Sequence, residues 1–191
     1  MSENTLNNKL LLRYLGGLDE NDLKFIEEKF DNLDIDFKHI SYNGQITNSL
    51  TDFSLEAFYT LSLSSIFLRE TIQHIGKNVV WESLKAIFIY TRDKLKNKEY
   101  NQITKDDIIK KPIKFGINAI LDDNTSYNFE LSGELSDELI DKSLDKMLEF
   151  LKEQKPNEKY EHTSYVRFSS KNEEWETESL QEYILKRRKN N

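Results

Sequence analysis

Cysteine is missing from the chain, which removes three chemistries together: a disulfide framework, thiolate metal ligation and a cysteine nucleophile. The absence fits a reducing compartment, and cytoplasm is the expected location. With two prolines and six glycines there is no proline-rich linker or low-complexity block, and no internal repeat divides the sequence. Nor is there a signal-like start: Glu3 stands where a secretory signal carries positive charge, and no apolar run of signal type follows. Long apolar runs are lacking too. The most apolar stretch, Phe53 to Leu68, contains Glu56 and five serine or threonine residues and then meets Arg69 and Glu70, short of the ~20 residues a bilayer needs. Positive charge is outnumbered, 27 Lys and Arg against 34 Asp and Glu, for a net charge of −7. That balance argues against nucleic acid and anionic membrane as partners, since both require positive surface potential.

The 191 residues can fill one domain with a sizeable core, and an internal boundary, if there is one, falls in the polar stretch 97–111. Lysine far exceeds arginine and asparagine is frequent, the usage of an AT-rich bacterial genome. An apolar run from Lys9 to Leu15 ends at Gly16-Gly17 and reads as a strand, although Leu6, Leu10 and Tyr14 also suit a helix. Asp19 then offers an N-cap, and Leu23, Ile26, Phe30 and Leu33 recur at helical spacing. Ile35, Phe37 and His39 alternate with Asp36 and Lys38 as a half-buried strand does. Two helical stretches follow, Ser54 to about Ile75 and Val79 to about Lys98, parted by Gly76-Lys77-Asn78; the second is apolar on more than one face. Ile113 to Leu121 and Tyr127 to Leu131 alternate about Asp122-Asp123-Asn124 as a hairpin. Ser136 caps a helix with a stripe of Ile140, Leu144, Met147, Leu148 and Leu151, ended by Pro156. A strand from Tyr160 to Phe168 and a charged helix from about Thr177 close the chain. The expected fold is α+β: a mixed, mostly antiparallel sheet of about four or five strands, with helices mainly on one face and a central apolar helical pair.

No motif for chemistry survives scrutiny. Gly16-Gly17 lacks a following Lys-Ser/Thr, and Asp19, Glu20 and Asp22 would repel a phosphate. His39, His74 and His162 are dispersed; Glu70 and His74 stand one helical turn apart but bring no further metal ligands. Asp106-Asp107, Asp122-Asp123 and Glu173-Glu174 sit in turns or helix starts, where acids are favoured by solvation and the helix dipole. The Asp122 loop lacks EF-hand spacing. Lys186-Arg187-Arg188-Lys189 reads as a basic helix end close behind acidic Glu173-Glu174-Trp175-Glu176. No cofactor or metal is expected, and no catalytic residue is assigned.

What remains is apolar surplus on the two central helices, with Trp81, Ile89 and Tyr90 extending beyond one stripe. Core burial accounts for part of it, and protein contact or self-association for the rest. The expected function is therefore a non-catalytic interaction domain, an accessory, inhibitor or immunity-like subunit of a bacterial system. Two alternatives stand beside it: a small enzyme assembled from dispersed His39, Glu70, His74, Arg92 and Asp93, and a membrane-acting effector that inserts Phe53 to Ile75.

Overall fold

The computed structural model describes residues 9–14, 16–31, 35–42, 59–73, 79–103, 107–112, 114–131, 135–155 and 162–178. Strand β1 (Lys9–Tyr14) buries Leu10, Leu12 and Tyr14, and leads through Gly16 and Gly17, both at positive φ, into α1 (Glu20–Asp31). Asp19 caps that helix, its Oδ1 accepting from the amides of Asn21 and Asp22 at 2.9 Å each. Next come β2 (Asp36–Ser41), β3 (Tyr59–Leu63), α2 (Ser65–Gln73) and the long α3 (Val79–Leu95). A hairpin of β4 (Glu99–Ile103) and β5 (Ile108–Pro112) forms a small second sheet in the polar stretch after α3. The remainder is β6 (Phe115–Ile120), β7 (Thr125–Leu131), α4 (Asp137–Glu153), β8 (His162–Ser169) and β9 (Glu174–Glu178).

The fold is mixed α and β, as the patterning implies, but the sheet is larger than the expected four or five strands and is not mostly antiparallel. Seven strands run in the order β2-β1-β3-β6-β7-β8-β9. Three neighbouring pairs, β1/β2, β3/β6 and β7/β8, are parallel; β1/β3, β6/β7 and β8/β9 are antiparallel. Two strands account for the difference. Tyr59–Leu63 alternates Leu61 and Leu63 with Ser62 inside a stretch whose overall apolarity suggests a continuous helix from Ser54. The helix starts only at Ser65, where Ser64 Oγ accepts from the Phe67 amide at 3.3 Å. At the C-terminal side, Thr177 belongs to β9 rather than to a helix, because buried Trp175 anchors the strand among its acidic neighbours.

Each parallel pair is bridged by helix: α1 between β1 and β2, α2 and α3 between β3 and β6, α4 between β7 and β8. All four lie on one face. Phe30 of α1 stacks on Phe37 at 5.1 Å, Phe88 of α3 meets Phe115 at 6.2 Å, and Phe150 of α4 meets Tyr127 and Phe129. Leu10, Leu12, Leu61, Leu63, Phe115, Ile117, Tyr127, Phe129, Val166 and Trp175 join the buried helical stripes in one cluster. Both α2 and α3 pack on α4, and α3 also touches α1. With every helix on the same face, this strand order gives the β7–α4–β8 connection the opposite hand to the other two.

Candidate functional site

Period-two alternation sends every second side chain to the face away from the helices. There Asn118, Asn128, Tyr165 and Glu178 stand in cross-strand register over β6, β7, β8 and β9, and Gly116, Glu130, Arg167 and Glu176 form the row beside them. Asn118 Nδ2 donates to Asn128 Oδ1 at 2.7 Å. Glu130 Oε1 accepts from Lys114 Nζ at 3.2 Å and from Arg167 at 3.4 Å. Burial pushes the Tyr165 phenol above its ordinary range, and a hydrogen bond with Asn128 pulls the other way. Asn128, Glu130, Tyr165, Val166, Arg167 and Glu178 line a notch of about 10 Å³, room for one water and not for a substrate. The arrangement suits recognition: fixed amides, one phenol and both signs of charge on a rigid surface.

The residues expected to meet a partner have partners inside the fold. Trp81 is 2% exposed, and its Nε1 donates to Asp145 Oδ1 at 2.9 Å. Ile89 is half-buried against the core. Tyr90 is half-buried, packs its ring at a tilt against Phe25 with centroids 4.5 Å apart and donates to Asp22 Oδ1 at 2.6 Å. The apolar breadth of α3 thus arises from its contacts with both α1 and α4.

Among the described residues, the dispersed polar candidates do not converge. His39 Nε2 pairs with Glu27 at 3.4 Å on the outermost strand. Arg92, 1% exposed, bonds the Leu135 carbonyl and pairs with Asp93 and Asp137, clamping the end of α3 to the start of α4. Glu70 lies in α2 and His162 opens β8; His74, Asp106 and the basic run 186–189 lie outside the described residues. Among the described residues no three His, Asp or Glu gather as metal ligands, and no helix is long and apolar enough to cross a membrane. The Gly16-Gly17 turn has no room for an anion: a Cβ on Gly17 would fall 2.4 Å from Leu95 Cδ2, Lys98 Nζ donates to the Gly17 carbonyl, and Asp19 occupies the first amides. The Asp122 loop is a hairpin turn, Leu121 N donating to Thr125 O at 2.9 Å and Asn124 N to Asp122 Oδ1 at 2.7 Å.

Sequence reasoning passed over Asn118, Asn128, Tyr165 and Arg167. A signal for them existed: asparagine is depleted in strands, yet it holds the centre of both hairpin strands, two positions that prove to be cross-strand neighbours. No protein-family model, curated protein or solved structure matches the chain.

Proposed function

We propose that this chain is a non-catalytic protein-interaction subunit of accessory, inhibitor or immunity-like type, and that the face of its sheet away from the four described helices receives the partner. The observation that carries the reading is the half-parallel sheet with all four described helices on one side. Parallel strands are ordinarily covered on both faces, whereas here the second face holds a register of polar and charged side chains. Exposed Ile120, on the same face, adds apolar area to that polar row, a composition common at non-obligate interfaces. The notch among Asn128, Tyr165 and Arg167 is too small for catalysis on a bound molecule, so recognition is the use its groups support.

The test is light scattering of the purified chain alone and after co-expression with products of adjacent genes. A heterocomplex that R167E weakens at least tenfold, with V79D on the helical side as an unaffected control, supports the reading. A chain that forms no complex with any of them, or a complex indifferent to R167E and lost with V79D, overturns it.

A further inference from the structure

We propose that Arg13 and Ser62 form the point at which the sheet binds a carboxylate, an Asp or Glu side chain of the partner protein. The inference rests on the reading of that face given above and names the chemistry of the group it receives. Leu10, Leu12 and Tyr14 are buried in the core, so Arg13, which alternates with them on β1, stands on the face away from the four described helices. Ser62, between buried Leu61 and Leu63 on β3, stands there too. Ser62 is in register with Leu11, and Arg13 is the next residue of β1 on that face. The two are therefore diagonal neighbours across adjacent strands, roughly 7–8 Å apart between Cα atoms and within reach of a long side chain.

Both lack what their chemistry calls for. Lys38, Lys114 and Arg167 of the same face have acids: Lys38 meets Asp36 at 3.9 Å, and Lys114 and Arg167 share Glu130 at 3.2 and 3.4 Å. Arg13 is half-buried, yet it has no hydrogen bond, ion pair or ring contact among the described residues. Ser62 is 8% exposed, and its Oγ is buried with no hydrogen-bond partner among the described residues. Partial burial strips water from a guanidinium, and a buried hydroxyl left unpaired costs free energy, so one incoming acceptor serves both groups. A carboxylate fits them: the guanidinium offers two parallel N–H donors and the hydroxyl a third, and two carboxylate oxygens accept all three. Serine is the shortest side chain in the row of Leu11, Ser62 and Asn118, and the carboxylate reaches its hydroxyl by displacing Leu11, whose side chain turns aside without losing a hydrogen bond. The source is a protein because Arg167 stands in the same cross-strand row as Arg13, through Thr60, Gly116 and Glu130. Those four inter-strand steps span roughly 19 Å, a distance that a protein surface covers and a small acid does not.

Nuclear magnetic resonance on the full chain tests this, with N-acetyl-glutamate amide as the probe, its neutral glutamine analogue as the control and inorganic phosphate as the rival oxyanion. The Arg13 Nε–H and Ser62 amide signals should shift to saturation with the glutamate probe and stay in place with the glutamine one. R13M should weaken that binding roughly tenfold or more and S62A about fivefold, with backbone amide spectra establishing that each variant is folded. In thermal melts of the free chain S62A should be no less stable than the wild type, since the hydroxyl it removes has no bond to lose. The absence of a saturable shift, an equal shift with glutamine, or a tighter response to phosphate than to the carboxylate overturns the proposal. So does an R13M variant that melts below the wild type at low salt and level with it at high salt, because an acid of this chain would then already hold Arg13. If the probe leaves Arg13 unmoved while R167E still weakens the heterocomplex, this inference fails and the reading of the face stands. A probe that binds a chain forming no heterocomplex supports the carboxylate site and overturns the protein partner.

Discussion

At the residue scale, the charges that matter most lie where helix ends meet. The last turn of α3 carries Arg92 and Lys94, and the first turns of α1 and α4 lie beside it with Asp22 and Asp137. Cations at one helix C-terminus thus face acids at two N-termini, each sign placed where the backbone dipole favours it. Asp22 is the most enclosed of these acids. Burial pushes its carboxyl up, but Lys94 at 2.7 Å, Tyr90 at 2.6 Å and the Asp19 amide together hold it below the usual carboxylate range. A carboxyl lowered in the folded state contributes stability that is whole above its unfolded value of about 4 and is lost as pH falls through the folded value. D22N should therefore melt well below the wild type at pH 7, and the gap should close as the pH is taken below about 4; thermal melts across that range check it. A gap of constant size would mean that the carboxylate charge plays no part. A deeper network holds α3 to α4. Burial pulls the Lys85 ammonium down, and hydrogen bonds to Glu82, Asp145 and Asp141 outweigh it, keeping the group charged and above its ordinary range. None of these pairings could be foreseen from spacing, because each joins residues more than forty positions apart or depends on which face of α3 turned inward.

Elements were legible in proportion to the strength of their period. The β6–β7 hairpin and α4, with its Ser136 cap and its buried Ile140, Leu144, Met147, Leu148 and Leu151, stand where alternation and the helical stripe place them. What escaped was a strand hidden in an apolar stretch and a strand hidden in an acidic one. Around Leu61 and Leu63 the apolar content of the flanks masked a five-residue alternation. In Glu-Trp-Glu-Thr-Glu, a single large side chain carries the whole strand: Trp175 Nε1 donates to the Ser143 carbonyl of α4 at 2.8 Å, and the ring meets Phe129 and Phe168 at 4.8 and 5.3 Å. Its removal leaves a cavity beneath β9 and forfeits that hydrogen bond, so W175A should cost about 3–5 kcal/mol in urea unfolding. W175F keeps the ring contacts and should cost clearly less; equal losses would show that the hydrogen bond, and not packing, ties β9 to α4. The open-face site was half legible for the same reason: Asn118 and Asn128 sit in the hairpin that the pattern reveals, while Tyr165 and Arg167 join them only through the β7–β8 register.

For the whole molecule, the three helix-bridged pairs are laid side by side in alternating direction, so β1, β2, β7 and β8 run one way and β3, β6 and β9 the other. Fold class was within reach of the sequence, because helices and strands alternate throughout. Strand order was not, since it is fixed by which edges meet after the chain has collapsed. The opposite hand of the β7–α4–β8 connection carries a consequence in time. Strand twist favours one hand of crossover by a wide margin, so the three connections cannot all form along the locally preferred route. If the outlier is β7–α4–β8, α4 reaches its place over β7 against the preferred crossover and has to be held there by the surfaces of α2, α3 and β9, so its docking waits until those surfaces exist. In W81F, which leaves Trp175 as the single tryptophan, its fluorescence should lag behind the recovery of far-UV circular dichroism on refolding. Coincident traces would show that the crossover forms with the rest. A lag would mean that each new molecule passes through an interval in which the acidic edge strand and the helix above it are unjoined, and the last third of the chain is the part exposed to misassembly.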